Sequence, residues 1–566
     1  MRKYFLGFGL APVAVPCLAL ALYLPGFWWG APYATAPDRT HSWGVDDETP
    51  LGPLAEIHNI IEPKPDRNLG YPLMHPLLVS VAYTPYLSYL VLTKQLSLTG
   101  SGIYPFGLID PIETLRNLTF IAHVVSVLMG VGIVLALYET TAVVWDRQTG
   151  VLAAMFGMVC YPMFYYVRNA NVDVPMLFFV SLAVAAFTRC CIHGYTTRRV
   201  LWLGAFIGFS IGTKEPAVGA FLLFPLAFWG CYQPEGKLSP RSKAPSFWKL
   251  GLVCLFSTFL AFGFGSGLFI DPERYVAHLN FISGRLEYLS SGNTPVALTF
   301  PFTWEGHVQY LEKIGEYLMD GMTVPGLLLA VVGIGVVLTK ERALLFLGAP
   351  ALGYLVFLFF ALRSGQIRYV MPAAVLLAFF QARAVTFGWK SRTVVVRWGI
   401  LFLMCLSLAI GLLRGFDLTY EMIYDSRYEA GEWLASRTKA GDRIEYFGTP
   451  EKLPPVMAGI ITSNAIPYFG MHVAPPDENE ATHTILQNWE ERKPTFVITI
   501  PDLTSSKGVP HNHTCPPKIF AGLMSGTIGY QLAGFFQTPR LFPWLPKPQL
   551  DYPTVNPPIH IFVRQT

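Results

Sequence analysis

Apolar runs alternate with short polar breaks along most of the chain, and their lengths set the first reading. After an opening run in MRKYFLGFGLAPVAVPCLALALYLPGFWWG, they fall near 118–140, 150–166, 174–192, 200–213, 216–232, 250–270, 323–339, 343–362, 370–387 and 397–414. About 20 apolar residues in a helix cross a bilayer core. The opening run is about 25 residues long and follows Arg2 and Lys3, whereas a signal peptide has a shorter apolar core and a small-residue cleavage site. It therefore reads as an uncleaved first helix with its start in the cytoplasm. The runs flanking Lys214 and Glu215 are short and cross only if they tilt or end at a cavity.

Residues 71–97 are apolar but carry Pro72, Pro76, Pro85 and several tyrosines. If this stretch lies in the interface, the loops bearing Arg189/Arg198/Arg199, Lys237/Arg241/Lys243/Lys249, Lys340/Arg342 and Lys390/Arg392/Arg397 share the side of Arg2 and Lys3. The excess of Lys and Arg in cytoplasmic loops selects that arrangement, which makes 71–97 juxtamembrane and predicts about eleven transmembrane helices. The loop 30–70, the turn 167–173, the loop 271–321 and everything after 415 then lie on the outer face. The expected division is a transmembrane part over 1–414, with a first outer loop and its juxtamembrane helices at 30–97, and an extracytoplasmic α/β domain over 415–566. In the latter, EAGEWLASRTK has helical character, while RIEYFG, TFVITI and IHIFVRQ read as strands.

Composition supports this class of molecule. Of 566 residues, 52% are hydrophobic and only 14% charged, with a mean hydropathy of +0.41. Soluble domains carry about 25% charged residues, so a soluble enzyme and a disordered chain are excluded. A net charge of +4 with dispersed Lys and Arg excludes a basic-patch nucleic-acid binder. Seven of the eight cysteines lie in or beside apolar runs and behave as small hydrophobes, while Cys515 stands alone in the tail. No Cys or His pair has zinc-ligand spacing.

Candidate chemistry concentrates at the outer ends of the spans. HSWGVDDETP sets Asp46, Asp47 and Glu48 in succession, where three adjacent acids repel unless one is protonated or paired. A solvated acidic loop or an Asp helix cap is the plainer alternative. RNANVDVP contributes Arg168 and Asp173, IGTKEPAVG Lys214 and Glu215, and RSGQIRYVMP Arg363, Arg368 and Tyr369. Ionisable groups at membrane depth face cavities or pair with one another, although turn solvation and snorkelling explain any one of them equally well. Tyr71 and His75 in the juxtamembrane stretch, and Asp271, Glu273, Glu305 and His307 in the long loop, belong to the same face.

The order of these features resembles the GT-C superfamily of polyprenyl-phosphate-sugar-dependent glycosyltransferases. The similarity is to family 39, which includes protein O-mannosyltransferases and the lipid A aminoarabinose transferase. It rests on the Asp-Glu-Thr motif at Asp47–Thr49, R-x-A-x-x-D-x-P at Arg168–Pro175, G-x-x-x-x-T-K at Gly208–Lys214, Gly306-His307 and Arg368-Tyr369. The resemblance covers roughly residues 1–415 and implies a GT-C-like fold. It implies transfer of a hexosyl or pentosyl group from a polyprenyl-phosphate donor to a lipid, glycan or protein acceptor on the extracytoplasmic face. By the same resemblance Asp47, followed by Glu48, matches the first-loop acid, Asp173 the acid of the second outer turn, and Lys214 and Arg368 the cations. Pro50 stands where the aminoarabinose transferase has arginine, and Tyr71 or a neighbour where it has lysine. Arg67, Arg168, Lys214 and Arg368 thus all remain candidates for the donor phosphate.

The chemistry suits these residue types. A departing phosphate leaves negative charge, which Arg or Lys stabilises in a partly dehydrated site. The acceptor hydroxyl needs a base, for which Asp47 is expected, with Asp46 and Glu48 as alternatives. A single displacement inverts the anomeric carbon. No cofactor is required by this scheme; Asp46 and Asp47 are the one pair that offers hard oxygen ligands for Mg²⁺ or Mn²⁺. The expected location is a multi-pass membrane protein, with a prokaryotic plasma membrane preferred to the endoplasmic reticulum. The competing readings are a transporter or flippase for a lipid-linked or anionic substrate, and a non-catalytic assembly factor.

Overall fold

Asp110 caps the longest helix by accepting from the Glu113 amide at 3.0 Å, and Pro111 occupies a first-turn position where its missing N–H costs nothing. From there an apolar sequence with few breakers runs for 34 residues. This is one element of a computed structural model that describes residues 11–33, 39–64, 67–97, 103–232, 246–290, 300–447, 451, 453–465, 477–500, 515–548 and 555–565. The helices are α1 (Ala11–Tyr23), α2 (Leu51–Ile61), α3 (Met74–Leu92), α4 (Pro111–Val144), α5 (Arg147–Met158), α6 (Tyr161–Tyr166), α7 (Asp173–His193), α8 (Thr197–Ile211), α9 (Val218–Phe221) and α10 (Phe224–Tyr232). They continue with α11 (Phe247–Gly265), α12 (Pro272–Ser290), α13 (Trp304–Met322), α14 (Val324–Lys340), α15 (Ala349–Phe357), α16 (Ile367–Leu376), α17 (Ala378–Trp389) and α18 (Val394–Ile423).

Among the described residues seven helical segments are long and apolar enough to cross a membrane, and eight if α13 and α14, bent by 103° at Thr323, count as one. The protein is thus an integral multi-pass membrane protein, and these helices do not confirm the expected count of eleven. Among the described residues α1 is seen over 13 residues, α5 has 12 and stops before Pro162, and α8 has 15 and stops at Gly212. The stretch 71–97 forms α3, which is not among the crossing candidates.

The apolar helices pack through small residues where bulk would intrude. On α8, Gly204 and Gly208 face α11 so closely that a Cβ on either would lie 2.4 Å from the carbonyl oxygen of Cys254 or Thr258. This small-residue stripe lets two backbones meet inside a bilayer, where no hydrophobic drive separates protein from lipid. It also fixes the end of α8 that carries Thr213 and Lys214.

The C-terminal part adds α19 (Ser426–Ala435), β1 (Arg443–Tyr446), β2 (Ile461–Asn464), α20 (Glu478–Arg492), β3 (Phe496–Thr499), α21 (Pro517–Ser525), β4 (Tyr530–Phe536) and β5 (Ile559–Arg564). The five strands run β2-β1-β3-β5-β4; β1 pairs parallel with β2 and β3, whereas β5 pairs antiparallel with β3 and β4. Alternate residues serve two cores: Phe496 and Ile498 join Ala430 and Leu434 of α19, while Val497 joins Ile485 of α20 and Leu523 of α21. The expected α/β unit is therefore a sheet between helical layers. Ahead of it, α18 runs without a break from Val394 to Ile423.

Candidate active site

Asp46 sits in the left-handed region with φ of +50°, a conformation that Asp tolerates better than most residues. That reversal sends two neighbouring carboxylates in different directions. Asp47 turns inward. Its Oδ1 accepts from the Thr49 amide at 3.1 Å and from the Thr49 hydroxyl, and its Oδ2 accepts from the Ala170 amide at 3.0 Å and lies 2.8 Å from His123 Nε2. Its side chain is 0% exposed. Burial pushes its carboxyl up, but His123, Thr49 and Ala170 outweigh that and hold it at about 2.

Asp46 turns outward, and 31% of its side chain is exposed. Its Oδ2 accepts from the Tyr71 hydroxyl at 2.8 Å and from Arg368 Nη1. Burial raises its carboxyl, yet Arg368, Lys214 and Tyr71 together bring the net shift below the usual carboxylate range. Arg368, on the first turn of α16, is itself aimed by Gln366, whose Oε1 accepts from its Nε at 2.8 Å. The segment ahead of it is tied to α13, where the Tyr310 and Tyr317 hydroxyls donate to the Ser364 and Gly365 carbonyls at 3.2 and 2.6 Å.

Lys214 follows the close-packed α8 and donates to Asp173 Oδ1 at 2.6 Å, with both side chains buried. Its ammonium lies 4.9 Å from the ring centre of Tyr369 and 5.6 Å from that of Tyr71. Asp173 opens α7, and its second oxygen, Oδ2, is buried without a hydrogen-bond partner among the described residues. Asp46, Tyr71, Asp173, Lys214, Arg368 and Tyr369, drawn from five segments, therefore form one cluster.

Other expected residues have different tasks. Arg168 is wholly buried and spends its donors on the carbonyls of Tyr23, Leu22 and Phe164 and on the Thr419 hydroxyl, so it bolts α1, α6 and α18 together instead of meeting a phosphate. Arg67 pairs with Asp271 at 2.7 Å and reaches the Asn59 carbonyl, which joins the first outer loop to the start of α12. Glu215 pairs with His278, whose other ring nitrogen lies 2.6 Å from the Leu69 carbonyl oxygen. Glu48 accepts from Asn68, and burial raises its carboxyl to about 7. His75 is buried with Nε2 unpartnered, and burial lowers its ring to about 4. Glu305 and His307 sit on the exposed first turn of α13, bonded to Gln309 and the Thr303 carbonyl, and no described contact joins them to the cluster.

A metal shared by Asp46 and Asp47 does not fit this arrangement. All four acceptor positions of Asp47 face protein donors, and the inner oxygen of Asp46 faces a guanidinium. Two participants escaped the sequence reading. His123 lies inside an apolar span, where a lone ionisable residue is itself a signal. The Glu56–Arg274 pair, 2.7 Å apart and buried, closes the first outer loop against α12 and carries no motif.

Comparison with known proteins finds one family model and several solved structures to which parts or all of the chain are similar. Residues 114–262 match the family model described as dolichyl-phosphate-mannose-protein mannosyltransferase. A search of curated proteins returned no match. Similar solved structures include ArnT from Cupriavidus metallidurans bound to undecaprenyl phosphate, at 11% identity over 98% of each chain with a TM-score of 0.48. They also include the oligosaccharyltransferase AglB from Archaeoglobus fulgidus in complex with an inhibitory peptide and a dolichol-phosphate, at 13% identity over 98% of this chain and 88% of that chain, with a TM-score of 0.44. A third is the mycobacterial arabinofuranosyltransferase AftD, at 12% identity over 100% of this chain and 42% of that chain, with a TM-score of 0.35.

Proposed function

We propose that this protein is a membrane glycosyltransferase that moves a sugar from a polyprenyl-phosphate donor to an acceptor hydroxyl on the extracytoplasmic face, with inversion. The observation that carries the reading is the half-open Asp46 carboxylate held against Arg368 and Lys214 at one end of the helix bundle. The match to a dolichyl-phosphate-mannose-protein mannosyltransferase model supports the donor class.

Asp46 takes the role of base. In the absence of donor, Arg368 holds its carboxylate ionised and lowers its basicity. A donor phosphate competes for Arg368 and Lys214, and drawing the guanidinium away restores the proton affinity of Asp46 as the acceptor arrives. The acceptor oxygen then bonds to the anomeric carbon, the carbon–phosphate-oxygen bond breaks, the hydroxyl proton passes to Asp46, and the two cations stabilise the leaving phosphate. No step is routed through a metal on the Asp46–Asp47 pair. A transporter would carry its ionisable groups near mid-bilayer; here Asp173 opens α7, Lys214 follows α8, and Arg368 lies in the first turn of α16.

Asn tolerates the left-handed backbone and keeps the size of Asp46, so Asp46→Asn is the clean test. It should bind polyprenyl phosphate at least as well as wild type and transfer sugar about 10² to 10⁴-fold more slowly. Lys214→Ala should weaken that binding by about 1.5–3 kcal/mol. Wild-type turnover in Asp46→Asn would remove the base assignment.

A further inference from the structure

Asp47 and His123 form a closed unit for which the proposed chemistry has no direct use. The Phe27 carbonyl oxygen, 2.6 Å from His123 Nδ1, can only accept, so Nδ1 carries a proton. On the other side of the ring, Asp47 Oδ2 already accepts the Ala170 amide, and Oδ1 accepts two donors from Thr49. A carboxyl so engaged, and held at about 2, is ionised, and it lies 2.8 Å from Nε2. Neither side chain has any exposed surface.

This unit joins four separate parts of the chain: the segment after α1 through Phe27, the first outer loop through Asp47, the middle of α4 through His123, and the turn ahead of α7 through Ala170. The Asp47 amide also donates to the Gly44 carbonyl at 3.2 Å, which closes the loop on which Asp46 takes its left-handed backbone. With residue 47 immobile on one side, the side chain of residue 46 is left to aim at Tyr71 and Arg368.

We propose that Asp47 and His123 are a buried hydrogen-bonded clamp and that His123 is a positioning residue that sets the aim of Asp46. The proposal rests on the glycosyltransferase reading given above. It assigns the acid of the Asp-Glu-Thr motif to holding the site and not to proton transfer. Removing one partner strands the buried polar groups of the other, whereas replacing both leaves two amides able to hydrogen-bond.

A double-mutant cycle on the full-length protein in nanodiscs tests this, with Asp47→Asn, His123→Gln and the pair combined. Each single variant should lower the thermal midpoint and reduce kcat about 100-fold, with the Kd for polyprenyl phosphate changed by no more than about twofold. The combined variant should regain both the midpoint and at least about tenfold in kcat over Asp47→Asn. A combined variant as slow as Asp47→Asn, though equally well folded, would overturn the clamp and make the Asp47 charge part of the chemistry. A His123→Gln protein with wild-type kcat would overturn it as well. If wild type transfers no sugar from such donors, the glycosyltransferase reading fails by itself, and recovery of the thermal midpoint in the combined variant still decides whether the pair is a clamp.

Discussion

At the scale of single residues, adjacent acids differ because their surroundings differ. Glu48 and His75 show this outside the ion pairs. Burial raises the Glu48 carboxyl from 4.5 to about 7, so between those values the folded state binds the extra proton and stability falls as pH rises. Burial lowers the His75 ring from 6.5 to about 4, so between those values the unfolded state binds the extra proton and stability rises with pH. The two trends oppose one another over nearly one window, and wild type should show a shallow dependence there. Glu48→Gln should unmask a rise in thermal midpoint from pH 4 to 6.5, and His75→Asn a decline from 4.5 to 7. Parallel profiles for both variants and wild type would show that neither group is coupled to folding.

At the scale of elements, the glycine stripe of α8 has the clearest consequence. Gly208 meets the Thr258 carbonyl where a side chain would need one backbone to move. Gly208→Leu should therefore push α8 off α11, cost about 1–3 kcal/mol or more, and displace Lys214, six residues on. The expected result is a lower thermal midpoint together with weaker polyprenyl-phosphate binding in the protein that remains folded. Leu at Gly230, where a Cβ meets nothing within 4 Å, should change neither. Equal behaviour of the two variants would mean that α8 packing does not set the cation.

At the scale of the whole molecule, the C-terminal sheet is anchored to the first outer loop by one buried ion pair. Asp425 accepts from Arg427, from the Trp29 indole at 2.9 Å and from the Asn556 amide at 2.7 Å, while the Arg427 guanidinium lies 3.8 Å from the ring centre of Trp43. Trp43 precedes the loop that carries Asp46. Arg427→Ala leaves Asp425 buried and unpaired, at a cost of about 3–5 kcal/mol. It should expose the region after 426 to limited proteolysis and slow sugar transfer along with it. Wild-type protease resistance would show that the sheet is held elsewhere.

Much of this protein is legible in its sequence because much of it follows from local pattern. Run length and hydropathy are properties of contiguous residues, so they determined a multi-pass helical membrane part, and strand-like alternation determined a small α/β tail. The run of three adjacent acids drew attention to Asp46, Asp47 and Glu48, and the cost of charge at membrane depth to Arg168, Asp173, Lys214, Glu215, Arg363 and Arg368, before any contact was known. Run length did not settle the exact number of spans, because a proline or glycine ends a helix without lowering the mean hydropathy around it, as before Pro162 and at Gly212. The division of labour among the charged residues was decided only by tertiary structure. Arg368 meets Asp46 across 322 residues, His123 meets Asp47 across 76, and Arg168 meets Thr419 across 251. A carboxylate becomes a base, a counter-ion or an anchor according to its donors and its access to solvent, and those partners come from distant segments that no local pattern encodes.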